Sequence, residues 1–143
     1  MLDTRLFPTD YRGKYPHMFA LDIAVWERFL DKLGDQYIGF YYDITCGKPT
    51  TAGDHLPDEY KRDAEILSRL RIDVVGKKVE EIHIIEVKPK ANASAIGQLL
   101  TYKECYITDY KPSKPVAMLL VCGELDQNFV PALERAGISY ILV

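Results

Sequence analysis

An α/β domain with a central mixed β-sheet flanked by helices is the fold class the sequence predicts. Three observations lead there. Helical stripes and strand-like runs take turns along the chain, in the order α-β-β-β-α-β followed by α-β. The strands expected at 69–75 and 81–89 are joined by a turn-like GKKVE segment, which calls for antiparallel pairing. The later strands are separated by helices, which calls for parallel crossovers. The 143 residues suit one domain with a real core, and 48% apolar with 27% charged residues is an ordinary globular composition.

Residues 1–19, with two prolines and two tyrosines and no sustained period, read as an extended N-terminal arm. A single domain is expected over 20–143. Its first helix is ALDIAVWERFLDKL at 20–33, where Ile23, Trp26, Leu30 and Leu33 form a stripe and Gly34 is the stop. Glu27 falls at the edge of that stripe. YIGFYYDIT at 37–45 is aromatic and β-branched and reads as a strand, carrying Asp43 without an assigned role. A polar loop follows at 46–57, then a short helix at 58–68. RLRIDVV at 69–75 and EIHIIEVKP at 81–89 are the next strands. Asn92 or Ser94 caps a helix running to about Tyr106, in which Gly97 is expected to let the helix approach the sheet closely. PVAMLLVC at 115–122 reads as a buried strand. A helix at 128–136, with Pro131 in its first turn and Gly137 as its stop, leads to a last strand at 138–143. No internal repeat or low-complexity segment interrupts this order.

Composition narrows the function classes. No apolar run is long enough to span a bilayer, and no basic start with an apolar stretch marks a signal peptide. A net charge of −3 does not advertise a nucleic-acid binder, although Lys and Arg gather along 61–114 among mixed acids. Cys46, Cys105 and Cys122 are widely spaced and form no zinc pattern with His17, His55 or His83, so free thiols in a cytoplasmic, reducing setting are expected. His83, on a strand, is read as structural. No glycine-rich phosphate loop is present.

The chemistry concentrates in IIEVKPKANASAIGQLLTYKECY, residues 84–106. Glu86 and Lys88 project from one face of a strand, while Ile85 and Val87 point into the core. Burying an unpaired carboxylate is costly, so the pair needs a purpose or an exposed place. Asp73, in the middle of the preceding strand, offers a second carboxylate. Two such groups on adjacent strands form an oxygen-rich corner of the kind that holds Mg²⁺, with waters and phosphates completing the shell. This works only if Asp73 faces Glu86, which puts the midpoint of the connection between Val79 and Glu80. A tight turn at Gly76-Lys77 would leave the two about 20 Å apart at ~3.3 Å per residue. Gln98 and Tyr102, four apart, share one face of the following helix.

Asp73, Glu86-Val87-Lys88 and Gln98-x-x-x-Tyr102, in this order of elements, resemble the PD-(D/E)xK nuclease superfamily with its restriction-endonuclease-like core. The Gln-x-x-x-Tyr element is similar to that of the RecB-like and Holliday-junction-resolvase-like branch. The resemblance covers about residues 20–122. It implies that Asp73 and Glu86 are metal ligands, that Lys88 is the catalytic lysine, and that Glu27 is the acid of the first helix. Gln98 and Tyr102 would support the site or touch the DNA backbone. Ile72 stands where the motif often has Pro. A literal Pro57-Asp58 lies in a loop or helix start and is rejected. The implied activity is Mg²⁺-dependent hydrolysis of DNA phosphodiesters leaving 5′-phosphate ends, with Mn²⁺ as substitute. The implied partners are DNA and a second copy or another replication, repair or packaging protein. Such a compact enzyme suits a phage or prokaryotic repair setting. The alternative is a nucleic-acid-binding or assembly module that keeps the fold without turnover.

Overall fold

A computed structural model of the chain describes residues 5–48, 57–60 and 70–143. Its elements are α1 (Ala20–Leu33), β1 (Gly39–Cys46), β2 (Leu70–Lys77), β3 (Ile82–Ala91), α2 (Ser94–Tyr110), β4 (Val116–Leu125), α3 (Val130–Arg135) and β5 (Ile138–Leu142). Most of the expected 46–57 loop and the 58–68 helix lies outside the described residues; 58–60 are helical.

The five strands form one sheet in the order β1-β2-β3-β4-β5. β1, β2 and β3 pair antiparallel, and β3, β4 and β5 pair parallel. This is the mixed sheet of a restriction-endonuclease-like fold. Each face is covered by helix. Trp26 and Phe29 of α1 are fully buried against Phe40, Val74, Ile85, Val87 and Val121. Truncating either ring to Ala would cost about 3–5 kcal/mol. On the other face Leu99 of α2 and Leu133 of α3 pack on Ile44, Ile72, Ile84 and Leu120.

The arm is part of this packing. Phe7 exchanges backbone hydrogen bonds with Phe40, and Tyr15 is buried beside Tyr42. Gly39 makes the approach possible, since a Cβ there would lie 2.6 Å from the Phe7 carbonyl oxygen. Gly97 does not play the part expected of it. A Cβ there would meet nothing within 4 Å, because the residue lies on the exposed side of α2.

Three elements outrun their sequence reading. β3 continues past Pro89 to Ala91 because its pairing with β4 continues, through Lys90↔Glu124 and Ala91↔Leu125. Pairing with β2, in contrast, stops at Val74↔Ile85, so the missing proline N–H faces no partner strand. β4 lengthens with it to Leu125. α2 runs on to Tyr110, whose ring stacks on Tyr106, and ends at Lys111 in a left-handed cap (φ 46°) just before Pro112.

Candidate active site

The centre forms where β2 and β3 part. Their register pairs Val74 with Ile85, Val75 with Ile84 and Lys77 with Ile82, so the connection is centred between Val79 and Glu80. The wide turn is closed by the Lys78 N–H donating to the Glu81 carbonyl at 3.0 Å. The next position in register is Asp73 opposite Glu86. No backbone pair forms there. Instead the Val87 N–H donates to Asp73 Oδ2 at 3.2 Å. A carboxylate thus takes the place of the strand that has turned away, and the strand edge keeps its acceptor.

Glu86 is 3% exposed. Its carboxyl group and that of Asp73 perturb each other's ionisation, and Lys88 Nζ lies 3.4 Å from Glu86 Oε1. Burial drives the Glu86 carboxyl above its ordinary range, the Asp73 charge pushes it further, and Lys88 only partly opposes them. Burial also raises Asp73, against its contacts with Glu86, the Val87 N–H and Lys88. Tyr102 is pushed up to about 12, first by burial and then by the Glu86 and Asp73 charges, so it remains a phenol able to donate. Gln98 opposes that rise, one turn before Tyr102 on α2. Two buried oxygens, Glu86 Oε2 and Gln98 Oε1, have no hydrogen-bond partner among the described residues.

Asp73, Glu86, Lys88, Gln98 and Tyr102 therefore come together. Glu27 is held by the arm instead: Tyr15 donates its hydroxyl to Glu27 Oε2 at 3.0 Å. The acid of α1 whose charge is felt at Asp73 is Asp22, which sequence reasoning missed. Asp22 also accepts the Phe19 N–H at 2.9 Å, closing the first turn of α1. Asp43 is a second finding. It adopts φ 56°, is 5% exposed, and receives Arg71 through both Nε (2.9 Å) and Nη2 (2.6 Å), with His17 Nε2 3.7 Å away. The β1–β2 ladder skips the Asp43–Asp73 position, and both strands turn over there. Tyr42 and Val74 face α1, whereas Ile44 and Ile72 face α2.

This donor set suits a hard divalent ion. Two carboxylates converge, one oxygen of the deeper one is unsatisfied, and a cation already stands beside it. Among the described residues no group of three or more His, Cys, Asp or Glu could hold a metal, so waters and phosphate oxygens would have to complete the shell. None of the described helices is long and apolar enough to cross a membrane.

No sequence-family model matches the chain, and no curated protein is similar to it in sequence. Solved structures are. A complex of EndoMS with dsDNA is 18% identical with a TM-score of 0.51, over 93% of this chain and 49% of that one. A repair endonuclease from Pyrococcus abyssi is 16% identical with a TM-score of 0.50, over 92% and 49%. The chain spans about half the length of these two neighbours, and the likeness is one of fold.

Proposed function

We propose that the protein is a metal-dependent nuclease that hydrolyses DNA phosphodiester bonds. The observation that carries this reading is the β2–β3 fork, where Asp73, Glu86 and Lys88 meet and Glu86 Oε2 and Gln98 Oε1 are left buried without partners. Unsatisfied buried oxygens are costly, and a bound cation with its waters would satisfy them. That both neighbours carry endonuclease or DNA-complex descriptions agrees with it.

Asp73 and Glu86 are the proposed ligands of one or two Mg²⁺ ions, with Mn²⁺ as substitute, and the metal would supply Lewis acidity to the phosphate and acidify a water. Lys88, fixed beside Glu86, orients the attacking water and steadies charge developing on the phosphate. Attack in line expels the 3′-oxygen and leaves a 5′-phosphate. Tyr102 donates its phenol toward the DNA backbone, and Gln98 positions that phenol. The acid of the first helix is Glu27 by its place on the stripe, with Asp22 as its rival. Asp22→Asn against Glu27→Gln decides between them, since only the working acid lowers kcat. The domain is proposed to work as a homodimer or beside a partner protein.

The test is cleavage of labelled duplex, single-stranded and four-way-junction DNA with Mg²⁺, Mn²⁺ or chelator, wild type beside Lys88→Ala. Metal-dependent cutting that the variant loses supports the nuclease. Folded wild-type protein that cuts nothing, yet retards DNA, would replace it with a non-catalytic binding module, the reading that the net charge of −3 leaves as second.

A further inference from the structure

A cavity of about 450 Å³ lies away from the carboxylates. It lies at the other end of the same sheet face, between the β1–β3 strands and the last turns of α2. Its walls are the rings of Tyr41, Tyr106 and Tyr110, and its rim carries Lys77 and Lys114. Tyr106 and Tyr110 stack at 4.8 Å with an interplanar angle of 21°, and the Tyr110 hydroxyl donates to the Thr45 carbonyl at 2.8 Å. The Lys114 ammonium is anchored on the Lys78 carbonyl at 3.0 Å, whereas Lys77 makes no ion pair among the described residues.

Aromatic walls with an ammonium rim match a planar base joined to a phosphate, and the volume is in the range of small-ligand sites. Position ties the cavity to the centre. Tyr102, Tyr106 and Tyr110 follow one another at about 6 Å along α2, given 1.5 Å per residue. On β3, Ile82 lines the cavity four residues before Glu86, about 13 Å away. We infer that this cavity holds a nucleotide of the substrate strand, its base against the tyrosines and its phosphate at Lys77 and Lys114, while a phosphate further along the strand reaches Glu86 and Lys88. The inference rests on the nuclease reading and adds to it that the strand is single, or locally unpaired, over this stretch.

Binding is measured apart from cleavage, on Lys88→Ala protein in chelator, by NMR and calorimetry with thymidine monophosphate and a five-nucleotide thymidylate strand. Both probes should shift the Tyr106 and Tyr110 ring signals, and the strand should bind more tightly. Tyr110→Ala should weaken strand binding roughly fivefold or more. Lys77→Gln, an exposed-rim change that leaves the stacked rings in place, should weaken it and flatten its salt dependence. Strand binding unchanged in both variants, or no binding of either probe, overturns the inference. Equal affinity for monophosphate and strand hands the cavity to a free nucleotide and overturns the strand assignment. Wild-type protein that cuts DNA but ignores both probes overturns the cavity alone; protein that binds them but never cuts overturns the nuclease reading instead.

Discussion

β3 carries two polar clusters, one at its start and one at its middle, and they are built to opposite rules. At its start His83 joins a closed chain: the Tyr37 hydroxyl and His83 Nδ1 are 2.7 Å apart, and His83 Nε2 and Glu81 Oε1 are 2.7 Å apart. Each ring nitrogen has a partner, and the His83 contact draws the Glu81 carboxyl below its usual range. At the middle of the strand, Glu86 is buried with one oxygen unsatisfied beside an acid that also resists ionisation. Satisfied buried polar groups rigidify a fold. Unsatisfied ones are a cost the fold accepts at a site that awaits a ligand. The first cluster is structure, and the second is chemistry in waiting.

The sharpest way to break this contrast is to remove the cation from the second cluster. Lys88→Ala should cut the cleavage rate by about 10²-fold or more, since the lysine is assigned to charge that develops during reaction. Circular dichroism and thermal melting should show the fold intact. Full activity would reduce Lys88–Glu86 to an ion pair.

Next comes Glu86→Gln, which keeps the shape and removes the charge. Calorimetry with Mn²⁺ should show binding lost, while the metal-free variant melts at a higher temperature than wild type. A lower melting temperature would mean that the wild-type carboxylate is well paired. The pH dependence follows from the same groups. The folded state favours neutral Glu86, so its contribution to stability is complete below the ordinary carboxylate range. It is lost as pH rises through the raised folded value. Metal-free wild type should therefore lose stability over that window, Mg²⁺ should restore it, and Glu86→Gln should flatten the profile. Denaturant melts at several pH values check all three.

At the closed cluster, Tyr37→Phe should cost about 1 kcal/mol of stability and leave cleavage unchanged. A loss of activity without a loss of stability would make that cluster functional as well. The smallest effect is expected at Gly97→Ala. With open space around it on the exposed side of α2, the change should stabilise the protein by about 0.5–1 kcal/mol. A drop in cleavage would show that the backbone at Gly97 meets the substrate.

What could be read in advance and what could not have separate physical reasons. The register of β2 on β3 was legible only as a condition: two carboxylates facing each other require the wide turn centred on Val79–Glu80, and the tight turn at Gly76-Lys77 is excluded only by the pairing itself. The spacing of Gln98 and Tyr102 put them on one face of a helix, and only the resemblance to a Gln-x-x-x-Tyr element pointed that face at the site. Gly97 was misread although it is adjacent to Gln98: a step of roughly 100° takes it off the face that meets the sheet. Asp22 was passed over: it closes the first turn of α1, and nothing local revealed that its charge is felt at Asp73. Asp43 gave no hint of its left-handed backbone, which depends on Arg71 from another strand and His17 from the arm. The run of β3 past Pro89 depends on the departure of β2, a tertiary event that no local pattern encodes.

The sheet order, in which every strand lies beside its neighbours in sequence, has a consequence for how the molecule comes into being. Each strand adds to the one made before it, and β2 with β3 closes over a short turn, so that pair is the cheapest to form first. The five residues brought together at the fork fall within positions 73–102, a hairpin and the helix that follows it. On a growing chain that unit is complete before β4 and β5 emerge. The parallel half of the sheet then closes over a centre that has already been laid out.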